Sequence, residues 1–86
     1  MTEDRPRRVD GLEPHEVDDG LVVYQPSTDR VHYLNPTAAV VFELCTGEHS
    51  ADDIEALVGA AWGLAEAPRA EVRRCLAQLR AEGIVA

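Results

Sequence analysis

The first part of the chain reads in steps of two, and the rest in steps of three and four. Leu21–Gln25 is rich in Val with one Tyr, residues that suit a pleated, half-buried surface. Pro26-Ser27-Thr28-Asp29 supplies a four-residue turn, and Arg30–Leu34 returns antiparallel. That loop sets Tyr24 opposite Val31 and Val22 opposite Tyr33. These four side chains share one wholly apolar face, the expected core face. The other face carries Leu21, Val23, Arg30 and His32, with Leu34 expected to bend inward at the strand end. His15–Asp18 is a candidate first strand, closed by the turn signal Asp18-Asp19-Gly20.

From Asn35 the period changes. Asn35 suits an N-cap and Pro36 the first helical position, where a missing N–H costs nothing. The first helix, Pro36 to Cys45, is apolar on nearly every side and is ended by Gly47. Ser50 with Asp53 three residues on forms an acidic capping box. Ile54, Leu57, Val58 and Ala61 then follow at amphipathic spacing, Gly59 weakens the second helix, and Trp62-Gly63 closes it. Pro68 opens a third helix whose stripe is Val72, Cys75, Leu76 and Leu79, and Gly83 stops it. Ile84 and Val85 are placed to fold back as a C-terminal seal. Three strands followed by three helices, on short connections, make an α+β domain: a three-stranded antiparallel sheet against a helical layer.

Eighty-six residues make one domain with a modest core. Residues 1–12 read as a flexible charged tail and residues 13–86 as the folded domain. No apolar run reaches the roughly 18–20 residues needed to cross a bilayer, and the N-terminus lacks a signal-peptide core, so the expected compartment is the cytoplasm. Cys45 and Cys75 fall on apolar helix faces and read as reduced, buried thiols.

The net charge of −8 is unevenly spread. Residues 10–66 carry Arg30 as their sole cation among many carboxylates, whereas Arg69, Arg73, Arg74 and Arg80 crowd the last twenty residues. An acidic body disfavours nucleic acid. On a helical wheel Arg69, Arg73, Leu76 and Arg80 fall within roughly 60° of one another, on a shoulder of the core stripe. That stripe rims a groove if an exposed strand lies beside it. The three histidines share no metal-ligand spacing, and no nucleophile–base pair or glycine-rich phosphate loop appears. No catalysis, cofactor or metal is expected.

Three pieces together carry a family resemblance. They are Val31-His32-Tyr33-Leu34-Asn35-Pro36-Thr37-Ala38-Ala39, the helix running on to Leu44-Cys45-Thr46-Gly47, and the ending Leu79-Arg80-Ala81-Glu82-Gly83-Ile84-Val85. From about Leu12 to Val85 the chain resembles the PqqD family, the recognition elements of ribosomally made and modified peptides (RiPPs), first associated with pyrroloquinoline quinone biosynthesis. The resemblance implies a small winged-helix-like domain with no catalysis of its own. It would bind the leader segment of a precursor peptide and present the core to a modifying enzyme, such as a radical-SAM maturase or a lasso-type leader peptidase. The leader would add as an antiparallel strand in the cleft between the third strand and the third helix. Carried onto this sequence, the strand wall is Arg30, Val31, His32, Tyr33 and Leu34. The helix wall is Arg69, Val72, Arg73, Leu76, Leu79 and Arg80. The arginines suggest a leader with acidic residues. Two other readings compete. The last two helices resemble a helix-turn-helix, which would suit a DNA-binding regulator, and a protein–protein adaptor is the third.

Overall fold

The structure, a computed structural model, describes residues 4–86. It contains β1 (Glu13–Val17), β2 (Gly20–Gln25), β3 (Arg30–Leu34), α1 (Pro36–Leu44), α2 (Ala51–Ala61) and α3 (Arg69–Ala81). The strands form one antiparallel sheet in the order β1-β2-β3, with Tyr24 opposite Val31 and Val22 opposite Tyr33. The α+β arrangement of three strands then three helices is the one the residue pattern implies.

Local chemistry accounts for the boundaries. Asn35 accepts a hydrogen bond from the Ala38 N–H at 2.9 Å, and Pro36 opens α1. Ser50 and Asp53 bond reciprocally at 3.1 Å, a complete capping box at the head of α2. The Ser50 backbone N–H, bonded to Asp53, holds that carboxyl below its ordinary range. Gly47 takes φ +85°, a conformation that costs other residues steric strain, and its N–H donates to Pro6.

The sheet buries the opposite face from the one expected. Leu21, Val23, Gln25, His32 and Leu34 are buried, whereas Val31 is 66% and Tyr33 55% exposed. Two causes are visible. α1 starts directly after Leu34 and packs on β2 and β3, so Leu34 must enter the core with it. The polar members of that face are also satisfied. Gln25 Nε2 donates to the Gly83 carbonyl, which orients its amide so that Oε1 accepts from His32 Nε2 at 3.0 Å and from Thr28 at 3.1 Å. On the open face the tyrosine hydroxyls donate to Asp29 and to the Asp19 carbonyl. An apolar face with two hydroxyl handles therefore tolerates water, and a polar face with closed hydrogen bonds tolerates burial.

The core joins that face to Val41, Phe42 and Cys45, to Ile54 and Val58, and to Val72, Leu76 and Leu79. Ile84 and Val85 close it, both buried as the seal requires. Each fully buried aliphatic side chain contributes about 1.5–3 kcal/mol. In α2 the buried stripe is Ala51, Ile54, Glu55, Val58 and Gly59, so Leu57 stays partly exposed and a carboxylate takes its place inside.

Much of the segment read as a flexible tail lies on the body. Arg7 and Ala86 exchange backbone hydrogen bonds, Arg8 and Val9 donate to Cys45 and Ile84, and Pro6 is fully buried. The Arg8 guanidinium donates to the Phe42 and Glu43 carbonyls at the end of α1, where cations are favoured, and stands over the Phe42 ring. Residues 1–3 of the expected tail lie outside the described residues.

Candidate functional site

The sheet has two edges of different character. β1 is exposed throughout and carries Pro14, Glu13 and Glu16, features that discourage another strand from pairing. β3 has no proline and presents Val31 and Tyr33 outward. Its backbone polarity follows from one close approach. A Cβ built on Gly20 would sit 2.1 Å from the Leu34 carbonyl oxygen, so that oxygen points at β2. In an antiparallel ladder residues alternate, so His32 and Arg30 also turn their backbone groups toward β2. The N–H and C=O groups of Val31 and Tyr33 therefore face away from the sheet.

α3 does not cover this edge. It packs on α1 and α2, and no Cα of α3 comes within 8 Å of a Cα of β3. The gap between them is a cleft of about 310 Å³ lined by Tyr33, Leu34, Asn35 and Ala38 on one side and Glu71, Arg74, Cys75, Gln78, Leu79 and Glu82 on the other. Leu34, Ala38, Cys75 and Leu79 give it an apolar floor. At its lower end Glu82 Oε1 lies 3.9 Å from the Nδ1 of His32. A larger hollow of about 530 Å³ opens beside residues 7–12, next to Phe42 and Cys45, but the strand that borders it is β1 at Pro14, which has no N–H to offer a guest.

The eleven residues singled out in the sequence divide into three groups. Tyr33, Leu34 and Leu79 line the cleft, and Val31 contributes the outward edge beside it. His32, Val72 and Leu76 are buried behind it, and Arg30 stands exposed at the start of β3. The three stripe arginines lie on the other flank of α3. Arg69 donates to Glu55 at 3.2 Å, Arg73 bonds both Glu55 and Asp52, and Arg80 bonds Asp4 at 2.7 Å. The helical wheel places the stripe correctly on a shoulder of the core face. The neighbour on that shoulder, however, is α2 with the N-terminal segment, and β3 stands across the other shoulder.

Glu55 explains the stripe. Its side chain is only 4% exposed, and a buried carboxylate requires compensating charge. Hydrogen bonding to Glu55 holds Arg73 more firmly protonated, and Asp4 does the same for Arg80. These cations are thus engaged within the chain. The cleft residues missed in the sequence are Asn35 and Ala38 on the strand side and Glu71, Arg74, Cys75, Gln78 and Glu82 on the helix side. Among the described residues Glu71 and Arg74 have no ion-pair partner, although they stand three apart on one helix. A signal existed: Arg74, Gln78 and Glu82 recur every four residues, one face of a helix.

Cys75 sits half-buried in the cleft wall, its thiol pushed up first by burial and then by Glu71. Cys45 is buried at the end of α1, donates to the Val41 carbonyl, and is pushed up to about 11. Among the described residues no group of His, Cys, Asp and Glu is arranged to hold a metal ion, and no helix is long and apolar enough to cross a membrane.

No curated protein and no solved structure matches the chain. One protein-family model does, that of coenzyme PQQ synthesis protein D (PqqD), over residues 20–85. The resemblance read from the residues begins near Leu12, whereas the match begins at Gly20. It leaves β1 outside and takes in β2, β3, all three helices and the C-terminal seal. With both walls of the cleft inside the matched region, the chain belongs to the PqqD family.

Proposed function

We propose that this protein is a non-catalytic recognition element that binds the leader segment of a ribosomally synthesised precursor peptide and presents it to a modifying enzyme. The observation that carries the reading is the unpaired β3 edge with α3 standing off from it. A guest strand antiparallel to β3 finds donors and acceptors on Val31 and Tyr33, which supply affinity without regard to sequence. Every second guest side chain then meets the floor of Leu34, Ala38, Cys75 and Leu79, which supplies selectivity. Family membership supports the same reading, because its description places members in the making of a coenzyme. A radical-SAM maturase and a lasso-type leader peptidase are the enzyme classes proposed as partners, and the cytoplasm the compartment.

The proposed preference for acidic leaders now has a different basis. Arg69, Arg73 and Arg80 are engaged elsewhere, and Arg74 is the arginine at the cleft. The test is calorimetric titration of the folded chain with the leader of a precursor peptide encoded beside it, against a scrambled peptide of equal composition. Micromolar or tighter binding that scrambling abolishes is expected. Equal binding of both peptides would reject sequence-selective recognition.

A further inference from the structure

The open wall of α3 carries a charge order that a strand can read. Arg74, Gln78 and Glu82 are spaced by four residues, and each such step advances about 6 Å along the helix axis. Two residues of a strand advance about 6.8 Å, and those two residues point to the same side. The helix wall and an extended guest are therefore in step over this length. One same-side guest residue faces each of Arg74, the middle of the wall where Gln78 is flanked by Cys75 and Leu79, and Glu82.

Direction follows from the ends of α3. Glu82 lies against His32, and Gly83 accepts from Gln25, so α3 reaches its C-terminus near the hairpin end of β3. Glu71, another residue of the cleft wall, lies about 16 Å back along the axis, and we infer that it stands toward the opposite end, where β3 runs on into Asn35 and α1. α3 thus runs opposite to β3, and a guest antiparallel to β3 runs the same way as α3. It meets Arg74 first and Glu82 last.

We propose, resting on the peptide-recognition reading above, that this cleft selects a peptide bearing a carboxylate at one position, an apolar residue two positions later and a cationic residue four positions later. The carboxylate pairs with Arg74, which has no acidic partner among the described residues. The apolar side chain rests on Leu34, Cys75 and Leu79. The cation joins Glu82, whose contact with His32 at 3.9 Å is longer than a hydrogen bond. α3 reinforces the far end, since the carbonyls of its last turn favour a guest cation beside Glu82. Selection by charge order also discriminates direction: a peptide entering backwards brings like charges together at both ends.

The test is selection of a displayed library of random 12-residue peptides on the full chain and on four variants. Arg74→Glu/Glu82→Arg reverses the charge order, Arg74→Gln and Glu82→Gln neutralise one end each, and Val31→Pro removes an outward backbone donor. The chain is expected to enrich acid-x-apolar-x-base peptides, and the reversed variant base-x-apolar-x-acid peptides. Each Gln variant loses preference at one end only. A selected peptide should bind the reversed variant about five- to tenfold more weakly. Enriched peptides that need Val31 but show no charge order, or the same order on the reversed variant, overturn this inference and leave strand addition standing. Binding indifferent to Val31→Pro overturns strand addition itself, and this inference with it.

Discussion

The two flanks of α3 use the same residue types for opposite ends. On one flank Arg69, Arg73 and Arg80 meet Glu55, Asp52 and Asp4, and every cation has its anion within the chain. On the other, Glu71, Arg74, Gln78 and Glu82 face a gap. A dense arginine stripe is thus a poor guide to a binding surface, because density also arises where a buried carboxylate has to be neutralised. Charges left without partners beside an apolar floor and an open strand edge are the better guide.

Perturbing the two flanks separates stability from binding. The largest effect is expected on the closed flank. Arg69→Ala/Arg73→Ala strips Glu55 of both cations and should cost about 3 kcal/mol in urea unfolding. Peptide affinity measured below the transition should stay within twofold of the parent. A loss of affinity in that variant would move the closed flank into the binding surface.

On the open side, Val31→Pro should weaken a bound peptide by about 2 kcal/mol while leaving the melting temperature nearly unchanged. The missing N–H faces outward, and edge strands tolerate proline there. His32→Pro is the control one residue along. Its N–H serves β2, so circular dichroism should show loss of the fold. Equal damage from both substitutions would reject the assigned edge polarity.

A smaller effect concerns Cys75. Its raised thiol should react slowly with iodoacetamide at neutral pH, and a bound peptide should slow it several-fold further. Cys45 should stay unlabelled in the folded protein with or without peptide. Mass spectrometry of the two tryptic fragments reads both; labelling of Cys75 unaffected by saturating peptide would place the guest elsewhere.

The smallest effect is on acid stability. Arg80 lowers the Asp4 carboxyl through their hydrogen bond, and Ser50 lowers that of Asp53. Depressed carboxyls bind protons more readily unfolded than folded. Their contribution is full above about pH 5 and is lost as pH falls through the carboxylate range. Asp4→Asn and Asp53→Asn should each flatten the rise in melting temperature between about pH 3 and pH 5. An unchanged slope would discount both interactions.

Much of the fold was legible because its signals are local. Asn35-Pro36, Ser50 with Asp53, and Gly47 act on the backbone within a few residues, and each does what its chemistry predicts. Ile84 and Val85 were legible as an apolar pair beyond a helix stop. Sheet parity was not, because apolarity alone favoured Tyr24 and Tyr33, whereas burial followed from where α1 begins and from the Gln25–His32 hydrogen bonds. The strand side of the cleft could be read from β3 itself. The helix side could not, since a wheel gives angles around α3 and not the neighbour on each shoulder. One clue was present in Glu55, a carboxylate among the apolar positions of α2 that needed cations from another element.

The paired ends of the chain carry a practical consequence for building with this domain. Arg7 and Ala86 exchange hydrogen bonds of 3.3 and 2.7 Å, and Asp4 lies at Arg80, across α3 from the cleft. Cargo fused before residue 4 or after residue 86 therefore departs from the back of the groove, whichever end bears it. The same proximity makes the domain a candidate for circular permutation, with a short linker closing the old ends and new ones opened in the Trp62–Ala67 loop.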